Sequence, residues 1–451
     1  MLYSAFSRIR WRRRTTVTVP VAPQLPESLR RAWQDRPLPL DLFFYTVSLA
    51  YALGIALTAE FYGYRMWGNF ASAGYGLAAL HTLWLLLAAP ETLRRAGRWT
   101  SRWVGVALVG AIGMVLPLGV LVVRRLTGRD WLDTPFSWSA QPEVWVIERS
   151  ADLFLRDGTP YVDVHALGRP PVVNDYTPYG PVMPVFGLPK TLLGGTPLTD
   201  ALTDARLVFV LVAAGCVWLT LRLLGRPPVP VRAAQLAAVV PVTALTFATA
   251  APDLAILGLL VLTCALAATD RPLAAGAVLA LVGSAKLIAL LAAPVLVALL
   301  VARLDWRAAG RFGLVLLGGT VLLNIGAVLV APGAFVEHVL KFPAGLGAVT
   351  SPAASPLPGY LIASTGAAGK VIAFALLGVA ALAIAAWLIA RPPATGSDAL
   401  LRIAVGLGAF TLLTPATRFG YLVYPFVLLG AMVCFRAAES ARTERVETTS
   451  S

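Results

Sequence analysis

Long apolar runs alternate with short, arginine-bearing breaks along most of the chain. A bilayer core takes about 20 apolar residues as a helix. The runs at 41–60, 72–90, 104–123, 205–224, 233–250, 252–269, 272–286, 287–302, 312–331, 370–390, 401–416 and 418–435 therefore predict about 12 transmembrane helices. One more run, 181–195, reads PVMPVFGLPKTLLGG. It is short, broken by proline and carries Lys190, so it predicts a re-entrant helix or a short span. Two polar stretches, 124–180 and 332–369, interrupt the apolar pattern.

Within the first polar stretch, EVWVIERSADLFLRDG repeats its apolar positions at helical spacing. Val144, Ile147, Ala151 and Phe154 share one face, while Glu148, Arg149, Asp152 and Arg156 fall elsewhere. This predicts an amphipathic helix lying on the membrane surface. Gly158 and Pro160 stop it. VNDYTPYGP then reads as turns leading back to the membrane.

The basic breaks set a direction, because loops rich in Lys and Arg stay in the cytoplasm. Arg94, Arg95, Arg98 and Arg102 form one group, and Arg222, Arg226 and Arg232 a second. Arg303, Arg307 and Arg311 form a third, Arg391 and Arg402 a fourth, and Arg436, Arg442 and Arg445 the last. All can be cytoplasmic only if twelve segments cross and 181–195 does not. Both polar stretches then lie outside, where long loops escape the charge rule. Residues 1–40 become a cytoplasmic basic tail, 41–103 hold two N-terminal transmembrane helices, and 436–451 form a second cytoplasmic tail.

Composition agrees with this picture. Of 451 residues, 58% are hydrophobic and 13% charged, and mean hydropathy is +0.74. That profile implies a polytopic membrane protein of all-α class. The net charge of +14 would suggest nucleic acid in a soluble chain. Here the arginines follow the topology pattern, so no nucleic-acid partner is expected. The N-terminal FSRIRWRRRTTVTVP lacks the apolar core of a signal peptide and reads as a basic tail that sets topology, with contact to anionic lipid the lesser alternative. Cys216, Cys264 and Cys434 sit inside apolar runs, so neither a structural disulfide nor a cysteine metal site is expected. Richness in alanine, arginine and glycine suggests a bacterial source with GC-rich DNA.

Charges near a membrane interior are costly and mark candidate chemistry. Asp130, Asp133 and Glu143 stand among tryptophans in GRDWLDTPFSWSAQPEVW, where a carboxylate can serve as general base or simply as a solvated loop charge. Asp253 follows Pro252 at the start of a span, where it can cap the helix. Lys286 in VGSAKLIALL either snorkels or binds a lipid phosphate. Arg418, beside Tyr421 and Tyr424, has no topological reason to lie outside and suits a phosphate or pyrophosphate. Glu337, His338 and Lys341 are weaker candidates. No nucleotide-binding glycine loop, HExxH or CxxC is present, so an activated substrate for an outward-facing site would have to come within the membrane.

Several of these stretches resemble a known family. EVWVIERSADLFLRDGTPYVD and YTPYGPVMPVFGLP resemble the first large loop of the GT-C glycosyltransferases. PDLAILGLLVL, AGAVLALVGSAKLIALLAAPVL, SPAASPLPGYLIA and LTPATRFGYLVYPFVL follow in the order seen in its lipid-phosphate-mannose-dependent branch, glycosyltransferase family 87. The resemblance covers roughly residues 104–435 and implies a GT-C-like transmembrane domain there. It implies transfer of a hexose, mannose by analogy, from a polyprenyl-phosphate donor to a glycan or glycolipid acceptor outside a bacterial plasma membrane, with inversion. Glu143 matches the acidic position before the surface helix and would be the base, with Asp133 a rival. Lys286 and Arg418 match the basic positions that would hold the phosphate. Tyr176 and Tyr179 belong to the motif framing the sugar, and Asp253, at the start of its span, and Tyr421, close to Arg418, are further substrate-binding candidates. Two departures stand out: Glu143 replaces the commoner Asp, and YTPYGP replaces the commoner YPP. No resident metal is assigned, although a divalent cation assisting the phosphate remains an open cofactor.

Two other readings fit the same residues. A transporter or flippase of a lipid-linked saccharide would need a charged path through the bilayer, and no internal repeat supports one. A non-catalytic envelope scaffold would tolerate alanine at Glu143, Lys286 and Arg418.

Overall fold

The computed structural model describes residues 37–127 and 138–450, the last six as backbone only. The N-terminal basic tail, Asp130 and Asp133 lie outside the described residues. Among the described residues the chain is helical, with one isolated β-bridge between Ala354 and Thr417. Among the described residues nine helices, short ones included, open on a proline. Proline suits the first helical position, where its missing N–H would have had no partner.

The bundle runs α1 (Pro37–Thr58), α2 (Tyr62–Leu87), α3 (Trp103–Thr127), α4 (Pro142–Asp157), α5 (Ala205–Leu223), α6 (Val231–Ala237) and α7 (Pro241–Thr249). It continues with α8 (Pro252–Ala268), α9 (Pro272–Ala285), a 3-10 turn Leu287–Ala292, α10 (Ala293–Arg303), α11 (Trp306–Val330), α12 (Ala367–Ala390), α13 (Gly396–Leu413) and α14 (Val423–Ser450). Among the described residues, eight helices are long and apolar enough to cross a membrane; α6 and α7, bent by 55°, make a ninth if they form one span. α8, α9 and Leu287–Arg303 are shorter apolar segments. The protein is thus an all-α polytopic membrane protein.

α8 is the central helix. Every residue from Leu254 to Ala267 is buried, as an apolar helix enclosed by other helices requires. Small residues let the others close in. A Cβ on Gly68 of α2 would lie 2.6 Å from Ala56 of α1, and one on Gly276 of α9 would lie 2.6 Å from the Phe312 carbonyl of α11.

Alternating crossings sort the loops onto two ends. At one end, Asp41 takes Arg102 at 2.5 Å, Arg232 at 2.8 Å and Gln235 at 2.9 Å, tying α1 and α6 to the residue that caps α3. Asp270 pairs with Arg303 there at 3.0 Å. The other end carries both polar loops.

Four expectations change. α2 and α11 begin earlier than predicted, at Tyr62 and Trp306, because hydropathy undervalues their glycine- and arginine-bearing first turns. The segment 181–195 forms only a 3-10 turn, Met183–Phe186, and the helix Leu188–Leu193, too short to span. The amphipathic helix forms as α4, but Val144 and Ile147 pack into the protein core with Met183, Phe186 and Phe209 rather than onto lipid. Finally Glu148, placed on its polar face, is buried.

Candidate active site

The site lies at the polar-loop end and is assembled from five segments. α4 begins at Pro142 and presents Glu143 in its first turn, where the helix dipole favours a carboxylate. Arg418, in the turn between α13 and α14, donates to Glu143 Oε1 at 2.6 Å. The Arg418 backbone is fixed by the second polar loop. Ser355 N–H donates to Thr417 O at 3.0 Å, Thr417 N–H to Ala353 O at 3.0 Å, and Phe419 N–H to Ser355 Oγ at 3.0 Å. Burial works against the Arg418 charge, but Glu143 and the neighbouring tyrosines outweigh it and hold its pKa above the ordinary value.

Asp253 and Lys286 form the second pair. Helix α8 starts at Pro252 with Ala251 at its cap position, so Asp253 does not cap. Its carboxylate accepts instead from Tyr424 at 2.6 Å and from Lys286. Lys286 sits where α9 ends and the 3-10 turn begins. Its Nζ lies 5.8, 5.2 and 5.6 Å from the ring centres of Tyr179, Tyr421 and Tyr424. Three aromatic faces around one ammonium stabilise its charge away from bulk water.

The YTPYGP stretch is strapped to this point. Gly180 N–H donates to Ala285 O at 2.9 Å, and Val182 N–H to Ser284 O at 3.2 Å. A Cβ on Gly180 would lie 2.1 Å from the Ser284 carbonyl, so only glycine permits the approach. Tyr179 thereby enters the Lys286 cage. Tyr176 turns the other way and does not join the cluster. Its hydroxyl donates to Glu337 at 3.0 Å and its ring stacks on Phe342 at 4.2 Å.

That contact belongs to a lock between the two polar loops. His338 Nδ1 accepts from Thr177 N–H at 2.8 Å, so its Nε2 carries the proton and donates to Val162 O at 2.8 Å. Burial pushes the His338 imidazole down to about 4 and keeps it neutral. Glu337, His338 and Lys341 are therefore structural here; Lys341 lies 3.4 Å from Glu337.

Glu143, Arg418, Lys286, Asp253, Tyr179 and Tyr421 thus come together, Tyr176 does not, and Asp133 lies outside the described residues. The sequence reading missed Tyr64 and Gln141, whose side chains bond beside Glu143. Gln141, directly before a helix-starting Pro142, was the only local signal. It also missed a sealed network one turn further along α4. There Arg125 reaches Glu148 and Asp204, both at 2.9 Å, and Arg206 reaches Asp204 at 2.7 Å. Among the described residues no three His, Cys, Asp or Glu side chains gather as a metal-ligand set.

A comparison with family profiles matches residues 176–415, more than half of the chain, to Glycosyltransferase family 87. The match contains Tyr176, Tyr179, Asp253 and Lys286; Arg418 and Tyr421 lie just past its end, and Glu143 lies well before its start. Comparison with curated proteins and with solved structures found no match. On the extent of the family match, the chain belongs to glycosyltransferase family 87 and is a membrane glycosyltransferase.

Proposed function

We propose that this glycosyltransferase moves a hexose, mannose, from a polyprenyl-phosphate donor to a glycan or glycolipid acceptor on the extracytoplasmic face of a bacterial plasma membrane. The observation that carries the reading is the meeting of two carboxylate–cation pairs at the polar-loop end of a membrane bundle. Topology supports the outward side, because arginine-bearing breaks collect at the opposite end.

The geometry suggests a division of labour. Glu143 Oε1 is taken by Arg418, while Oε2 has no partner among the described residues. Oε2 accepts the proton of an acceptor hydroxyl as that oxygen attacks the anomeric carbon. The bond from that carbon to the phosphate oxygen breaks, and its electron pair leaves with the phosphate. Attack opposite the leaving group inverts the configuration. Arg418 spends Nη1 on Glu143 and keeps its other N–H groups for a phosphate. Lys286 spends one of three donors on Asp253. Both cations stabilise charge that grows as the donor bond breaks. Both carboxylates face cationic side chains, which does not fit a resident divalent cation, and no step here runs through one.

The test is donor competition in sealed proteoliposomes. Radiolabelled polyprenyl-phosphate mannose and a nucleotide-linked mannose are supplied with a membrane acceptor extract. Transfer from the lipid donor alone, lost in Glu143→Gln and kept in Asp133→Asn, is expected. Transfer from the nucleotide donor alone would refute the donor class. Loss in Asp133→Asn alone would move the base.

A further inference from the structure

The N-terminal pair α1–α2 lies outside the family match, yet it reaches the site. The turn between the two helices docks against the start of α4. Gly63 N–H donates to Trp138 O at 2.9 Å, and Phe61 stacks on Trp138 with ring centres 5.2 Å apart and planes 6° apart. Tyr64 packs edge-on against Phe61 at 5.3 Å. A Cβ on Gly63 would lie 3.3 Å from the Trp138 carbonyl, so the approach is close.

This dock holds Tyr64 beside the carboxylate. Gln141 is anchored by its N–H to Thr249 O at 2.9 Å, and its side-chain amide donates to the Tyr64 hydroxyl oxygen. Glu143 follows two residues later, and the Glu143 and Arg418 charges lie within electrostatic reach of Tyr64. The Tyr64 oxygen is thus used as an acceptor, while its O–H has no acceptor among the described residues. A half-buried phenol with a free O–H normally finds a partner. The free Oε2 of Glu143 nearby accepts. A free donor and a free acceptor held in one part of the site suit a ligand that carries more than one hydroxyl, as a sugar ring does.

We propose that Tyr64, carried in by the N-terminal helix pair, is a further substrate-binding residue. It donates a hydrogen bond to an acceptor hydroxyl adjacent to the one that Glu143 deprotonates, and so favours a polyol acceptor such as a hexoside. This rests on the reading of Glu143 as base and of Lys286 as a donor-side residue. The two sides of the site then divide: Tyr64, Gln141 and Glu143 toward the acceptor, and Lys286, Asp253 and their tyrosines toward the donor phosphate.

The experiment is a pair of binding titrations on the full-length protein in nanodiscs. The probes are a short-chain alkyl mannoside and a polyprenyl phosphate, and the proteins are wild type, Tyr64→Phe and Lys286→Ala. Tyr64→Phe keeps the ring contact with Phe61, so folding is preserved, and thermal midpoints check this. Loss of one hydrogen bond should weaken mannoside binding about three- to tenfold, with polyprenyl-phosphate affinity unchanged. Lys286→Ala should show the reverse. Wild-type mannoside affinity in Tyr64→Phe, equal weakening of both ligands, or no mannoside binding by wild type would each overturn the proposal. Failure of wild type to bind polyprenyl phosphate would instead sink the donor assignment alone.

Discussion

Glu143 and Glu148 sit five residues apart on one short helix, and each faces an arginine. Their surroundings differ. The Glu148 and Arg125 side chains are 4% and 6% exposed, and Glu148 also accepts from Ala205 N–H at 3.2 Å. Glu143 and Arg418 are 24% and 35% exposed. A sealed pair has repaid its desolvation with fixed partners, and breaking it leaves a buried charge uncompensated. A half-open pair keeps spare donors and a spare oxygen, and water or substrate can reach them. On the proposed reading, the same chemistry serves as a rivet in one place and as a reagent in the other. What decides between them is how many hydrogen-bonding positions the fold leaves unfilled.

Mutations can break this contrast. The largest effect is expected for Glu148→Ala, which strips Arg125 of a partner and leaves Ala205 N–H unsatisfied. A loss of about 3–5 kcal/mol should appear as poor yield and a lowered thermal midpoint. Arg418→Ala should instead leave the midpoint nearly unchanged while transfer falls about 10²- to 10³-fold, the typical cost of removing one charge-stabilising donor. A stability loss as large as that of Glu148→Ala would erase the distinction.

Acid should act through the loop lock. His338 is neutral in the fold and titrates near 4, against an ordinary 6.5. Between these values the unfolded chain binds more protons, so stability falls as pH drops from about 6.5 to 4, by at most about 3 kcal/mol. Thermal midpoints across that range should decline, and His338→Gln should flatten the decline. Gly180→Ala is expected to cost about 1–3 kcal/mol through overpacking against Ser284. It should also weaken polyprenyl-phosphate binding, because Tyr179 is pushed from Lys286.

Much of the bundle was legible because span length is a property of the apolar runs themselves. The starts of α2 and α11 were not, since Tyr62–Phe70 and Trp306–Arg311 mix aromatic, glycine and arginine residues that hydropathy averages away. The apolar face of α4 was readable, but periodicity cannot say whether protein or lipid covers it. Lys286, Asp253 and Arg418 announced themselves by the cost of charge near a membrane. Tyr64 had no such signal, because a tyrosine at a membrane interface is ordinary. The two tyrosines of YTPYGP are three residues apart, yet one turns to Lys286 and the other to Glu337. Only the long-range straps at Gly180 and His338 separate them.

On the proposed reading, the half-open carboxylate does chemistry while the sealed one holds the fold. The most direct test compares Glu143→Gln with Glu148→Gln, measuring thermal midpoint and initial sugar-transfer rate on the same proteoliposome preparations. Glu143→Gln should keep its midpoint and lose transfer by about 10²- to 10⁴-fold. Glu148→Gln should lose stability, while the fraction that stays folded keeps its specific rate. Full transfer by a folded Glu143→Gln protein would contradict that reading.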